Sequence, residues 1–302
     1  MKILVVGGTG FAGGYTANFL KKQGHDVTIM GRSKPANASM LGDLKFVAGN
    51  YIEESFDDGR LEGYDWMVFA AGNDITKMPF DGSVTPEEFF QRSNSEAIPR
   101  FFKYAKAAGI KRVAYLGTFY PQVAPQQIDV NPYVKSRYIA DEAIREMSSP
   151  DFNVCSLNAP FILGQIPGFD VAHITAMAHY AKGNLTDLPV FAPKGGTNHI
   201  TVHSVAQAIQ GGLERGESGK AYLIGDANLS WKEYMEEWFS LAGNEQEIEV
   251  REDDHPLLPN IIMYAGVGAT VSYEPPAEET ELLGYDRGVL KSMISEVIKS
   301  VG

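Results

Sequence analysis

The 302-residue sequence predicts an α/β fold in which a doubly wound parallel sheet is followed by a smaller carboxy-terminal lobe. Short apolar runs alternate with helix-length segments through the first half of the chain, as in sheets covered by helices on both faces. A glycine-rich turn separates the first apolar run from the first helical segment. Beyond residue 164 the alternation weakens and Gly and Pro become frequent, as expected of loops that shape a pocket.

Hydrophobic periodicity and helix-end signals place the individual elements. Strands are predicted at residues 2–6, 26–30, 44–48, 65–71, 113–116, 152–157 and 221–224. Helices are predicted at residues 11–23, 86–108, 133–147, 202–213, 231–242 and 287–299. Pro99 lacks the N–H that a helix interior needs, so we expect it to kink or divide the second helix.

Composition and charge argue against several classes of protein. The chain has 26 Lys and Arg against 38 Asp and Glu, a net charge of −12, whereas nucleic acid binding needs a concentrated basic surface. The single cysteine, Cys155, excludes an internal disulfide. The first apolar run stops at Gly7, and no stretch approaches the roughly 18 apolar residues of a membrane span. We therefore expect a cytoplasmic protein without nucleic acid or membrane partners.

The histidines His199 and His203 predict no metal site. Residues 200–202 between them are predicted to be strand, on which four positions span about 13 Å. That separation is too large for two ligands of one metal ion.

The turn between the first strand and the first helix predicts a dinucleotide site of the Rossmann type. Glycines there allow a tight bend and let the backbone approach a pyrophosphate, while the helix amino terminus offers N–H groups and a partial positive charge. No Gly-Lys-Ser/Thr follows, which excludes a Walker-type ATP loop. The predicted phosphate-binding residues are Gly7, Thr9, Gly10, Phe11, Ala12 and Gly13.

The end of the second predicted strand favours NADP, with NAD as the second choice. NAD-selective sites place Asp or Glu there for the ribose 2′-hydroxyl, whereas NADP sites offer arginine to the 2′-phosphate. Here Arg32, Ser33 and Lys34 follow the strand, without an acid. A guanidinium can chelate the phosphate, which a carboxylate would repel. The alternative is that Arg32 is a solvated loop residue.

Further motifs stand in order along the chain. They are Asn50-Tyr51, Phe69-Ala70-Ala71-Gly72, Asn94, Thr118, Tyr133 with Arg137, and the segments 158–164, 202–206 and 282–285. With the glycine turn, this set resembles the motifs of the extended short-chain dehydrogenase/reductase superfamily, also called the NAD-dependent epimerase/dehydratase family. The resemblance implies a dinucleotide-binding Rossmann domain at 1–163, to which 199–226 return. It leaves 164–198 and 227–302 for a substrate-binding lobe.

The resemblance also implies where the cofactor binds. Asn50 stands where the family has an acidic residue that holds adenine, and the segment 158–164 matches a loop that lies against the nicotinamide. Beyond the glycine turn, the implied cofactor-binding residues are Arg32, Ser33, Asn50, Tyr51, Ala70, Ala71, Gly72, Asn94, Tyr133, Arg137, Ala159, Pro160, Phe161 and Ile162.

The active site implied by the resemblance consists of Thr118, Tyr133 and Arg137, with arginine where the family has lysine. Tyr133 and Arg137 are four residues apart on a predicted helix and share one face. A phenol is a poor acid or base at neutral pH unless a cation stabilises the phenolate. Arg137 keeps that charge, although its planar fork is not equivalent to an ammonium. Thr118 and Tyr133 would hold a substrate oxygen while Tyr133 exchanges its proton during hydride transfer.

Three functions remain open at this point. The first is an NADP-dependent reductase or dehydrogenase that acts on a ketone or secondary alcohol. The second, a nucleotide-sugar epimerase or dehydratase with tightly bound NAD, ranks lower because no cluster of cations for a diphosphate is evident. The third is a non-catalytic NADP-binding redox sensor, which the retention of Thr118 and Tyr133 opposes. A small-molecule substrate and, by resemblance, a homodimer through 86–108 and 133–147 complete the expectations.

Overall fold

The computed structural model describes residues 1–35 and 40–301. The strands in this part are β1 (Lys2–Val6), β2 (Asp26–Gly31), β3 (Lys45–Ala48), β4 (Trp66–Phe69), β5 (Arg112–Thr118), β6 (Asn153–Ala159), β7 (Phe161–Leu163), β8 (Phe191–Pro193), β9 (Gly196–Thr201), β10 (Ala221–Leu223), β11 (Ala227–Ser230) and β12 (Glu249–Arg251). The α-helices are α1 (Phe11–Lys22), α2 (Pro86–Phe90), α3 (Ala97–Ala107), α4 (Tyr120–Val123), α5 (Pro132–Glu146), α6 (Ala172–Ala181), α7 (Val202–Arg215), α8 (Trp231–Ala242), α9 (Ala277–Leu283) and α10 (Leu290–Ser300). Single 3-10 turns lie at Ile75–Lys77, Pro125–Gln127 and Asn260–Ile262.

Seven strands form one parallel sheet in the order β10-β6-β5-β4-β1-β2-β3. The central strand β1 pairs with β2 and β4, so that Val5 lies opposite Ile29 and Val68. Residues 3–6 of β1 are buried because helices cover both faces of the sheet. From β1 the sheet is extended through β2 and β3 on one side and, from β4 onwards, on the other side. This reversal of strand order opens a crevice at the carboxyl ends of β1 and β4. This topology confirms the predicted Rossmann-type α/β fold.

Apolar side chains fix the helices on the two faces of this sheet. On one face, α1 and α7 pack against it through residues such as Leu20 and Ile209. On the other face, α3 and α5 contribute Phe102 and Ile144. Burial on both sides makes the sheet a rigid support for whatever lies at its carboxyl edge.

The remaining strands form a second unit beside that edge. β9 lies between β7 and β11 in a three-stranded sheet, and β8 pairs with β12. Helices α6, α8 and α10 pack around Met177, Trp238 and Ile294. α7 and β10 lie on the main sheet, whereas β9 pairs with β7. The division into 1–163 with 199–226, and 164–198 with 227–302, stays a proposal.

Two predicted elements differ from the observed ones in their extent. The strand expected at 200–202 ends at Thr201, whose hydroxyl accepts a hydrogen bond from the Ser204 N–H and caps α7. The second predicted helix is divided by a π-helical turn at Gln91–Glu96. Pro99 has no N–H to donate to the carbonyl of Ser95, four residues earlier and within this turn. No helix in the described ranges is long and apolar enough to cross a membrane.

Candidate active site

The glycine turn after β1 has the shape of a phosphate cradle. Gly7 has φ +79°, and its N–H donates to the Met30 carbonyl at 3.0 Å. A Cβ at Gly7 would lie 2.8 Å from the Ala70 backbone, and a Cβ at Gly13 only 2.4 Å from the Gly7 oxygen. A Cβ at Gly10 would meet only the Gly7 oxygen, at 3.5 Å, and would otherwise project into open space. No side chain caps α1, so its first N–H groups face this space and fit a pyrophosphate.

The other predicted phosphate-binding residues surround the turn. A Cβ at Gly31 would lie 2.4 Å from Thr9 Oγ1, which places the Thr9 side chain against the end of β2. Phe11 begins α1 and packs against the apolar cluster that includes Met177, Trp238 and Ile294. Ala12 packs against the apolar core on the α1 face of the main sheet. Thr9 therefore connects the glycine turn to the end of β2.

The ends of β2 and β3 carry the next predicted residues. Arg32 and Ser33 follow β2 and are exposed. After β3, Asn50 Oδ1 accepts from the Ile52 N–H at 3.1 Å, and the Asn50 N–H donates to Glu54 at 3.0 Å. The β2 end thus carries an exposed cation, while the β3 end is a capped turn.

Asn94 ties the loop after β4 to α5 from within the π-helical turn, a feature that is frequent at functional sites. Its Oδ1 accepts from the Asn73 N–H at 3.1 Å, and its Nδ2 donates to the Asn73 carbonyl at 2.9 Å and to Ser136 Oγ at 3.1 Å. Asn73 Nδ2 in turn donates to the Tyr51 hydroxyl at 3.1 Å, and burial raises the pKa of Tyr51. This network fixes the segment Ala70-Ala71-Gly72 ahead of Asn73.

Tyr133 and Arg137 meet at the amino-terminal end of α5. The side chain of Asn131 accepts from the Tyr133 N–H at 3.0 Å and so caps the helix. Arg137 is buried, and its Nη1 donates to the Tyr133 hydroxyl at 3.4 Å. A Cβ at Gly72 would lie 2.9 Å from Nη1, so the guanidinium lies against that glycine. Lys135 is exposed on another face of the helix, as predicted.

Thr118 ends β5 and pairs in register with Ala159, the last residue of β6. Pro160 then leads into β7, where Phe161 is half-buried and Ile162 packs against the core. Thr118 and the predicted nicotinamide loop therefore occupy adjacent strand ends.

The sequence did not reveal Tyr264, which covers the Tyr133 ring. The two rings stack with centroids 4.1 Å apart and planes at 23°. The Tyr264 hydroxyl accepts from the Ile75 N–H at 3.1 Å, and the adjacent Ala265 carbonyl accepts from Gln127 at 3.1 Å. Tyr133 is consequently only 7 % exposed. No local pattern marks Tyr264, because its contact joins segments far apart in the chain.

The predicted site residues thus form a row along the carboxyl edge of six neighbouring strands, β3-β2-β1-β4-β5-β6. The order of their segments along that row is Asn50, Arg32, Gly7, Gly72, Thr118 and Ala159. Such a row suits an elongated ligand, with the glycine turn in its middle and the Tyr133–Arg137 pair towards one end.

His199 and His203 lie in different environments. His199 belongs to β9 and is fully buried with its ring stacked on Tyr234, with centroids 4.6 Å apart. His203 begins α7, where its Nδ1 lies 3.1 Å from the Tyr15 hydroxyl. The described part of the chain contains no group of three or more His, Cys, Asp or Glu that could hold a metal ion.

Burial lowers the pKa of His199 from 6.5 to about 3. As the pH falls, the His199 ring takes up a proton in the unfolded chain before it does so in the folded chain. The free energy of unfolding should therefore decrease as the pH falls from 6.5 towards 3. His199→Phe keeps a flat ring without the titration. We expect wild type to lose about 3 kcal/mol of unfolding free energy relative to the variant between pH 7 and pH 4, as urea titrations would measure. If the unfolding free energies of wild type and His199→Phe changed in parallel with pH, this expectation would be wrong. His179→Phe serves as the control.

A parallel sheet with a glycine turn at its switch point defines a Rossmann-type dinucleotide-binding fold. The model of the NAD dependent epimerase/dehydratase family matches residues 3–225. The chain belongs to this enzyme family, within the extended short-chain dehydrogenase/reductase superfamily, as the resemblance implied.

Curated relatives are UDP-glucose 4-epimerases. That of Corynebacterium glutamicum is 25% identical over 240 residues, which cover 75% of this chain and 63% of the relative. That of Neisseria meningitidis serogroup C is 26% identical over 217 residues, which cover 63% of this chain and 64% of the relative. The chain thus spans slightly less than two thirds of the length of these relatives.

Solved structures share the fold over nearly the whole chain. UDP-N-acetylglucosamine 4-epimerase from Bacillus cereus superposes with a TM-score of 0.73 at 15% identity, covering 99% of this chain and 96% of the other. UDP-glucose 4-epimerase from Bifidobacterium longum, in complex with NAD+ and UDP, gives 0.73 at 17% identity, covering 99% and 97%.

Proposed function

We propose that this chain is an NAD-dependent epimerase or dehydratase that acts at a secondary alcohol carbon of a nucleotide sugar. The observation that carries the proposal is the contact of Arg137 Nη1 with the Tyr133 hydroxyl, at 3.4 Å, beside Gly72. The curated relatives support a nucleotide sugar as substrate. They reverse the order favoured by the sequence, in which an NADP-dependent ketone reductase ranked first.

Each residue of the site has a part in this reaction. The turn from Gly7 to Gly13 and the start of α1 would hold the cofactor pyrophosphate. Bound nicotinamide supplies reversible hydride uptake. The Thr118 hydroxyl would hold the substrate oxygen while Tyr133 Oη takes and later returns the hydroxyl proton. Arg137 would stabilise the phenolate form of Tyr133, in which Oη can take that proton.

Incubation of the protein with NAD and UDP-glucose tests the proposal. The expected result is conversion to UDP-galactose without net consumption of NAD. Chromatography of the sugar nucleotides measures the conversion. Stoichiometric oxidation of NADPH with an added ketone and no UDP-sugar turnover would instead support the reductase. Nucleotide binding without turnover of any ketone or any nucleotide sugar in a panel would support the redox sensor.

The cofactor is proposed to be NAD, with NADP as the second candidate. The complex of the Bifidobacterium longum enzyme contains NAD+, whereas the exposed Arg32 after β2 favours a 2′-phosphate. Mass analysis of the nucleotide that copurifies with the protein separates the two.

Arg32→Ala is expected to weaken NADP binding by about 10- to 100-fold and NAD binding by about twofold or less, because only NADP has the 2′-phosphate. Calorimetric titration with each nucleotide measures both effects. Lys232→Ala, on the remote helix α8, is the control. Equal weakening of both nucleotides would show that Arg32 does not read the phosphate.

The homodimer implied by the resemblance is also a proposal. Tyr138 and Ile139, neighbouring residues on α5, are 38% and 40% exposed and could lie in such an interface. Sedimentation velocity of the wild type and of a Tyr138→Lys, Ile139→Lys variant would detect a dimer through α5.

A further inference from the structure

Arg137 is held more closely by strand β5 than by Tyr133. Its Nε donates to the Tyr115 hydroxyl at 3.1 Å, and its Nη2 donates to the Leu116 carbonyl at 3.0 Å. The contact of Nη1 with the Tyr133 hydroxyl is longer, at 3.4 Å. The two shorter bonds end on the centre of the main sheet, where Tyr115 is fully buried.

A guanidinium is planar, so two fixed nitrogens determine the position of the third. With Nε and Nη2 bound to β5, Nη1 of Arg137 can point in only one direction. Gly72 closes the opposite side, because a Cβ there would lie 2.9 Å from Nη1. The strand and the glycine therefore aim Nη1 at Tyr133.

Tyr115 is suited to hold the guanidinium without neutralising it. Burial raises the pKa of Tyr115 to about 12, so its hydroxyl accepts the bond as a neutral phenol. A carboxylate at the same place would share the positive charge of Arg137. The ring of Tyr115 packs against those of Phe69 and Phe102, whose centroids lie 6.0 and 6.2 Å away.

We propose that Tyr115 is a positioning residue, which holds Arg137 so that the guanidinium charge stabilises the phenolate form of Tyr133. Its catalytic consequence rests on the proposed function, in which Tyr133 exchanges a proton with the substrate. The positioning itself is a property of the cofactor-free chain and is measurable without substrate.

Tyr115→Phe tests the proposal because it removes only the acceptor and keeps the ring. The Arg137 Nε–H then has no partner in a dry site, and the guanidinium tilts or admits water. Tyr222→Phe is the matched control, since Tyr222 is also fully buried and its hydroxyl accepts from the Glu217 N–H at 2.9 Å, away from Arg137.

The first readout is the pH titration of Cζ-labelled tyrosines by NMR, with the Tyr133 resonance assigned by its loss in Tyr133→Phe. We expect its midpoint to rise in Tyr115→Phe, where the cation is no longer held beside the phenol, and to stay unchanged in Tyr222→Phe. An unchanged midpoint in Tyr115→Phe would overturn the proposal, whatever the activity of the enzyme.

The second readout is steady-state turnover of UDP-glucose. Tyr115→Phe should lower kcat about tenfold and shift its acid-side midpoint upward, with KM changed by about twofold or less. In an Arg137→Lys background the same change should have no further effect, since an ammonium lacks the planar fork through which Tyr115 fixes the direction of Nη1. If Tyr133→Phe were fully active, the proposed function would fail, while the NMR result would still decide the positioning.

Should Tyr115→Phe fail to fold, Gly72→Ala displaces the guanidinium from the other side. It is expected to shift the same NMR midpoint, and an unshifted midpoint in this variant would equally overturn the proposal.

Discussion

Tyr133→Phe is expected to lower kcat for the nucleotide sugar by about 100- to 10,000-fold, because the variant lacks the group that exchanges the substrate proton. Binding of NAD should change by about twofold or less, since the ring and its stacking on Tyr264 remain. Steady-state kinetics and calorimetric titration of the cofactor measure the two quantities separately.

Tyr138→Phe is the control for this loss. Tyr138 lies five residues further along the same helix and is 38% exposed, so its side chain lies on a different face from the buried pair. Full activity of Tyr138→Phe together with loss in Tyr133→Phe is the expected outcome. Comparable activity of both variants would remove Tyr133 from the mechanism.

The second large effect is expected at the glycine turn. Gly10→Ala should fold with nearly wild-type stability, because the added Cβ meets only the Gly7 oxygen at 3.5 Å and φ is −101°. The methyl group would occupy the space into which a pyrophosphate must fit. We expect NAD binding to weaken by about 10- to 100-fold in calorimetric titrations.

Gly14→Ala should show the opposite behaviour. Its Cβ would lie 2.8 Å from a Leu41 methyl group and 3.1 Å from the Gly8 oxygen, within the core rather than at the open face. Thermal stability should fall, while the folded fraction keeps its affinity for NAD. If Gly10→Ala bound NAD as tightly as wild type, the turn would not be the phosphate site.

The main sheet was predictable because its strands are continuous apolar runs separated by glycine turns and helix-length segments. β1 has the predicted bounds, Lys2–Val6, and α8 the predicted bounds, Trp231–Ala242. β9 was not predicted as a whole, since its sequence GTNHIT has no apolar alternation although every residue in it is buried. Its burial comes from β7, β11 and the helices α7, α8 and α10, which local periodicity does not encode.

The candidate site was predictable where it follows strand ends, as with Gly7, Arg32 and Thr118. The four-residue spacing of Tyr133 and Arg137 also predicted their contact. Tyr115 was read only as part of an apolar strand, and nothing near Tyr264 suggested a contact with Tyr133. Both roles depend on distances between separate elements, which a single sequence does not provide.

A crystal structure of the protein with NAD and UDP-glucose would show whether Tyr133 and the glycine turn act on a bound nucleotide and sugar. We expect the nicotinamide beside Tyr133, the substrate hydroxyl within hydrogen-bond distance of Tyr133 Oη and Thr118 Oγ1, and Arg137 Nη1 still on Tyr133. A complex in which the nicotinamide lies away from Tyr133, or in which the glycine turn holds no phosphate, would contradict the proposed enzyme.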